Sequence, residues 1–222
     1  MAKSSYSEYL LQVLQRPPEV FSGLMPLSRE LYASNIYLRR CRKIDAPELR
    51  ELMLKNRNYL EKWIQPQPEA ITLNCVTDLI TEDRLLAKKG MRLDLGIFRI
   101  EDDKMLGRIA LHSVDFGIQR SAGASYWVDE EETNNGYATE ALSTLVSFAF
   151  EEVNLHRIWL KITKQNKAST AIAKKLGFKS EGISRKCLFI NREWQDANVF
   201  SILDEEYDSL ADEWINKNYL GA

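Results

Sequence analysis

Residues 133–142, "TNNGYATEAL", form a polar run that breaks at Gly136 and passes directly into a helical pattern. Just before it, "YWVDE" at 126–130 has the aromatic and β-branched make-up of a strand end, so the local order is strand, short polar loop, helix. That order brings several unpaired backbone N–H groups and the positive end of a helix dipole to one point. Such a point attracts an anion, and a glycine at its crest lets a phosphate approach backbone that a side chain would screen. Asn134, Asn135 and Thr139 add hydrogen-bonding side chains around it. A lone glycine before a helix is more often plain loop geometry, so the surrounding chain has to decide between the two readings.

Downstream, the helix pattern runs through "YATEALSTLVSFAFEEV" and is followed by a strand, "HRIWLKIT", and a helix, "KASTAIAKKL", closed by Gly177. The segment "KSEGISRKCLFINREWQDANVFSIL" reads as a hairpin, and the tail "DEEYDSLADEWINKNYL" as a surface helix. Upstream, "RLDLGIFRI", "MLGRIALHSVDF" and "ASYWVDE" are three antiparallel strands joined by turns. Before them come a strand at "NIYLRRCR", a helix over "APELRELMLKNRNYLEKW" and, past "IQPQPEA", a second helix over 69–89. The predicted order is βαα, βββ, αβα, ββ. Residues 1–34 read as an extension in which "YSEYLLQVLQ" is a short amphipathic helix stopped by Pro17-Pro18. The main domain is expected over 35–205, with a C-terminal helix or tail over 206–222.

Composition narrows the function classes. A chain of 222 residues with 45% hydrophobic and 10% aromatic side chains buries a full core. Thirty basic and 32 acidic side chains leave a net charge of -2, which argues against nucleic acid as the partner. Cys41, Cys75 and Cys187 are odd in number and far apart, which suggests neither a disulfide framework nor a zinc site. No run approaches the ~18 apolar residues of a membrane span. A cytoplasmic protein without a membrane partner is the expectation.

With these elements in place, "YWVDEEETNNGYATEAL" resembles the acyl-CoA pyrophosphate loop of the GNAT N-acetyltransferase superfamily. "NKASTAIAKKLGFKSEG" followed by "INREWQDANVFSIL" resembles its RimJ/RimL-type branch, which acetylates protein N-termini. The similarity spans roughly residues 35 to 205. It implies an α+β fold, a central, mostly antiparallel twisted sheet flanked by helices, and acetyl-CoA as cosubstrate without a metal. It also implies residue roles. Trp127 and Val128 would offer backbone groups to the pantetheine arm, and Asn134, Asn135, Gly136, Tyr137, Ala138 and Thr139 would hold the pyrophosphate. Asn166 would reach the pantetheine, and Ser169 would lie at the sulfur as proton donor. A thioester is already activated, so the protein chiefly positions a neutral amine and stabilises the developing oxyanion.

The chain departs from the resemblance in several places. Thr133-Asn134 replaces the usual residues ahead of the glycine, which puts the tightness of CoA binding in question. Gly123 and Leu188 stand where relatives carry acidic residues, and Ala173 where many carry a tyrosine acid. The amine still needs a base, and Asp115 is the first carboxylate to test, with Glu193 and Asp196 behind it. His112 and His156 read as structural, since neither has an obvious Ser or Cys partner. The expected acceptor is the α-amine of a protein or peptide, whose pKa near ~8 makes deprotonation easy. The alternatives are a small-molecule amine such as a polyamine or antibiotic, and a non-catalytic CoA-binding or interaction protein on the same scaffold. A monomer or homodimer fits either.

Overall fold

The computed structural model describes residues 28–64 and 71–221. The helix expected within "YSEYLLQVLQ" lies outside the described residues. Eight strands form one sheet: β1 (Glu30–Tyr32), β2 (Ile36–Arg39), β3 (Leu93–Arg99), β4 (Met105–Asp115), β5 (Ser121–Val128), β6 (Arg157–Thr163), β7 (Lys179–Ile190) and β8 (Glu193–Leu203). Their spatial order is β1-β2-β3-β4-β5-β6-β8-β7. Six helices accompany them: α1 (Ala46–Lys55), α2 (Arg57–Leu60), α3 (Leu73–Lys88), α4 (Tyr137–Glu151), α5 (Lys167–Lys175) and α6 (Asp204–Asn216). The element order follows the sequence reading, with two local differences. The segment read as one helix over 46–63 divides at Asn56, whose buried side chain turns back to the Leu52 carbonyl at 2.9 Å and across to Asp129 at 3.1 Å. Glu30–Tyr32, inside the stretch read as an extension, pairs with β2 as the edge strand.

Every pairing is antiparallel except β5 with β6. That parallel contact is short, running from Ser121↔Arg157 to Gly123↔Trp159 and no further. Beyond it β5 stays with β4 as far as Val128, and β6 stays with β8 as far as Thr163↔Ala197. Each strand keeps its antiparallel partner, so the sheet opens into a wedge whose apex is Gly123.

The polar groups along that wedge follow from the register. Asp129 N–H donates to the Leu106 carbonyl at 2.7 Å, which makes Asp129/Leu106 a hydrogen-bonded pair. In an antiparallel ladder such pairs alternate, so Trp127, Ser125 and Gly123 turn their peptide groups to β4. Ala124, Tyr126 and Val128 turn theirs into the wedge.

Both faces of the sheet are covered. On one, α4 buries Leu142, Leu145, Val146 and Ala149 against strand residues such as Leu95 and Ile109. Helix α4 is held at its start by Asn35, whose backbone N–H and side-chain amide both donate to Glu140 at 2.8 Å. On the other face, Leu49, Leu52 and Met53 of α1 and Val76 and Ile80 of α3 pack on Phe98 and Met105. The tail helix α6 is more deeply seated than a surface helix, because Trp214 is 1% exposed and Tyr207 bonds Ser147 at 2.7 Å. Among the described residues no helix is long and apolar enough to cross a membrane.

Candidate active site

A cavity of about 370 Å³ occupies the wide end of the wedge. Tyr126, Trp127 and Val128 wall it from β5; Asn134, Gly136, Tyr137, Ala138 and Thr139 from the loop and first turn of α4; Asn166 and Ser169 from the start of α5. Nine of the ten residues anticipated for the cofactor thus line one space. The exception, Asn135, turns its amide toward Glu132 at 3.4 Å. Val128 presents its peptide groups to the wedge as expected, whereas those of Trp127 belong to the β4 ladder, so Trp127 contributes its indole instead.

The loop is built to receive an anion. Gly136 is the N-cap of α4, with φ +88°, and no side chain caps the helix. Its carbonyl accepts from the N–H groups of Thr139 at 2.8 Å and Glu140 at 3.1 Å, which leaves those of Tyr137 and Ala138 without a helical partner at the positive end of a 15-residue helix. Asn134 also adopts the left-handed region, φ 66°, which asparagine tolerates better than most residues. Left-handed residues of this kind turn N–H groups inward to form a concavity for an anion. The neighbouring acid does not oppose it: Glu132 is engaged by Lys104 at 2.7 Å and by Arg99 at 3.3 Å, and Lys104 holds its carboxyl below the usual range.

At the opposite side, Asn166 caps α5 by accepting the Ser169 N–H at 3.0 Å. Asn166 is thus a helix cap as well as part of the cavity wall. The Tyr126 phenol lies beside Ser169, buried, with no protein group completing a well-aligned hydrogen bond to it among the described residues. Burial pushes that phenol up to about 12, so it stays protonated and available as a donor.

A second cavity of about 440 Å³ continues from the apex of the wedge. Ala124 and Ser125 line it where Tyr126 to Val128 line the first, and Trp63 and Ile64 border both. Its remaining walls come from His112 on β4, Trp159 and Lys161 on β6, and Cys187 to Ile190 on β7. Leu188, noted as standing in place of an acid, is thus in this cavity, and Gly123 lies beneath two of its lining residues, His112 and Trp159. Among the described residues no carboxylate lines it.

The carboxylates anticipated as base are placed elsewhere. Asp115 closes the β4–β5 turn by accepting the Gly117 N–H at 2.6 Å and lines neither cavity. Glu193 and Asp196 lie on the outer surface of the β7–β8 hairpin, where Asp196 pairs with Lys164 at 3.0 Å. His156 pairs with Asp204 at 2.8 Å and lines neither cavity. His112, grouped with it in the sequence reading, is instead part of the second cavity. Among the described residues no cluster of His, Cys, Asp or Glu is suited to hold a metal ion.

Comparison with known proteins agrees with this geometry. Residues 35–179 match the model of the acetyltransferase (GNAT) domain. The chain is 32% identical over 177 residues to the probable N-acetyltransferase YjcK of Bacillus subtilis, a span of 79% of this chain and 98% of that one. It is 26% identical over 163 residues to the ribosomal-protein-serine acetyltransferase of Escherichia coli, covering 71% of this chain and 87% of the relative. The structure of Mycobacterium smegmatis RimJ in complex with CoA-disulfide superimposes with a TM-score of 0.79 at 26% identity, covering 87% of this chain and 95% of that one.

Proposed function

The chain belongs to the GNAT acetyltransferase family, and from that premise we propose that this N-acetyltransferase takes an acetyl group from acetyl-CoA and passes it to the α-amine of a protein or peptide. The observation that carries the proposal is the meeting of two differently built cavities along the free edge of β5. The first matches a pyrophosphate at one end and a thioester at the other. Acetyl-CoA supplies an acyl group already activated for transfer to nitrogen. The Gly136 loop and the first turn of α4 hold phosphate, the free peptide groups of Tyr126 and Val128 orient the arm and polarise the carbonyl, and Ser169 donates at the leaving sulfur.

The second cavity favours a peptide terminus over a polyamine. Among the described residues its walls are aromatic and aliphatic, its charged group is the cation Lys161, and no carboxylate stands ready to hold a second ammonium group. The similarity to ribosomal-protein acetyltransferases points the same way. The three cysteines are free thiols, which suits a reducing, cytoplasmic setting.

Mass spectrometry of a peptide library incubated with acetyl-CoA tests the acceptor. Acetyl groups are expected on α-amines; acetylation confined to lysine side chains or to spermidine overturns this choice of acceptor, and acetyl-CoA binding without turnover of any amine overturns catalysis. The donor site has its own test. Gly136→Ala places a β-carbon at the crest of the loop and forces a left-handed residue costing about 1–2 kcal/mol. Calorimetry is expected to show acetyl-CoA affinity reduced about tenfold, roughly 1.4 kcal/mol. Unchanged affinity would remove the loop from the phosphate site.

A further inference from the structure

We propose that His112 is the general base that takes the proton from the acceptor amine, a role that rests on the acetyl-transfer reading above. Three strands place it. His112 of β4, Gly123 of β5 and Trp159 of β6 occupy one row across the sheet, since His112 pairs with Gly123 and Gly123 with Trp159. Gly123 leaves its position in that row empty, and a β-carbon there would stand 2.3 Å from His112 Cε1 and 2.7 Å from Trp159 Cη2. The imidazole and indole therefore meet above the glycine, edge to face, with centroids 5.2 Å apart. The row is the last before β5 and β6 part. The imidazole consequently lies at the apex of the wedge, in the wall of the cavity read as the acceptor site.

The surroundings leave it ready to accept a proton. Its Nδ1 lies 3.4 Å from the Ser113 hydroxyl, the Ala124 carbonyl stands beside the ring as an acceptor for a ring N–H, and the neutral imidazole keeps one nitrogen lone pair. Burial, then the charge of Arg92, lowers the pKa of the imidazole below its usual value; Lys161 acts in the same direction, while Asp94 and the Ala124 bond oppose them. The ring is thus neutral at pH 7. Lys161 is a cation 5.1 Å from the centre of the Trp159 ring, and the Cys187 thiol donates to the Ser184 carbonyl at 3.4 Å. An ammonium group has no lone pair, and a neutral thiol sulfur is a far weaker proton acceptor than a neutral imidazole nitrogen. A strand advances about 3.3 Å per residue, so Ala124, which His112 touches, stands roughly 7 Å from Tyr126 in the donor cavity. An amine bound between them reaches both.

The step balances without another reactant. The ammonium nitrogen gives one proton to His112, which returns it to solvent through the cavity mouth. The nitrogen lone pair then forms the bond to the acetyl carbon as the carbon–sulfur bond breaks, and the second proton lost by nitrogen ends on the sulfur. Amide, thiol and one released proton are the products.

The test is the pH dependence of kcat for the parent protein, His112→Phe and His112→Gln, with acetyl-CoA affinity and melting temperature measured alongside. Phenylalanine keeps the edge contact with Trp159, and glutamine keeps a polar group where phenylalanine disturbs folding. We expect kcat of the parent to rise with pH through a value below 6.5 and then level. Both variants should lose about 100-fold or more in kcat and lose that acid limb, with acetyl-CoA affinity kept within about threefold. If a folded variant retains more than about a third of parental kcat with the same acid limb, His112 is a packing residue and this inference fails while the proposed function stands. A parent that binds acetyl-CoA but acetylates no amine overturns both.

Discussion

Arg108→Met is expected to destabilise the fold by about 3–5 kcal/mol, the usual consequence of removing one partner from a buried ion pair. Arg108 projects from β4 beneath α3, where its side chain is 12% exposed and its Nη2 lies 2.5 Å from Asp83 and 3.2 Å from Asp94. Asp94 has a second cation, Arg92, at 2.5 Å, and stays paired without Arg108. Asp83 has Arg108 as its hydrogen-bonded cation, with Arg92 acting on it only through longer-range charge. Burial already pushes its carboxyl up to about 6 despite the arginine beside it. A carboxyl whose pKa rises on folding contributes stability below about pH 4 and loses it as pH climbs through the folded value. Without Arg108 that folded value rises further, so the deficit of the variant is expected to be smaller at pH 5 than at pH 8. Adding Asp83→Leu removes the stranded carboxylate and should restore most of the loss, because an apolar replacement of the whole pair is often neutral or better. Denaturant unfolding at the two pH values checks both statements. A single variant that loses less than about 1 kcal/mol at pH 8 would mean the pair is solvated enough to be dispensable.

This cluster also shows where sequence reading stopped. Local patterns were legible: the stop at Gly177, the glycine at the start of α4 and the alternation in β3 to β5 each encode their element within a few residues. Much of the donor cavity was legible for the same reason, because many of its residues fall in two short stretches, 126–139 and 166–175, whereas the wall from Tyr59, Leu60, Trp63 and Ile64 comes from a distant part of the chain. What could not be read depends on distant partners. Arg108 looks like any strand arginine until Asp83 and Asp94 arrive from two other elements. Glu30–Tyr32 is a strand only because β2 offers an edge to pair with. The division at Asn56 needs Asp129, 73 residues away. His112 carried no motif at all, since its setting is made by a glycine on β5 and a tryptophan on β6, and the one available signal was Gly123 flanked by small residues in a strand. The acidic candidates failed for a complementary reason. Asp115 ends β4 and is taken up by the turn that follows, while Asp196, within β8, accepts the Lys186 N–H across the hairpin at 3.0 Å.

Ser169→Ala is expected to lower kcat about 100-fold while leaving acetyl-CoA affinity within about threefold, the signature of a group acting on the leaving thiolate and not on binding. The substitution is structurally mild. The cap of α5 is the Asn166 side chain accepting the Ser169 backbone N–H at 3.0 Å, and alanine keeps that N–H. No neighbouring acid replaces the hydroxyl from the helix, because Ala173, one turn on, is fully buried and carries no polar group. Tyr126 is another hydroxyl donor at this end of the cavity, and its phenol, buried and lacking a well-aligned partner, lies against Ser169. Two neighbouring hydroxyls, one of them held protonated by burial, can act as a donor pair, the serine serving the sulfur and the tyrosine orienting it if the thioester binds as proposed. On this view Ser169→Thr, which keeps a hydroxyl, retains most of the activity that alanine loses. Steady-state thiol release together with calorimetric acetyl-CoA binding separates the cases. Equal kcat in the alanine variant and the parent would show that the thiolate leaves without help from α5. A matching loss in kcat and affinity would instead make Ser169 a binding contact, and the acid would then have to be Tyr126 itself or water.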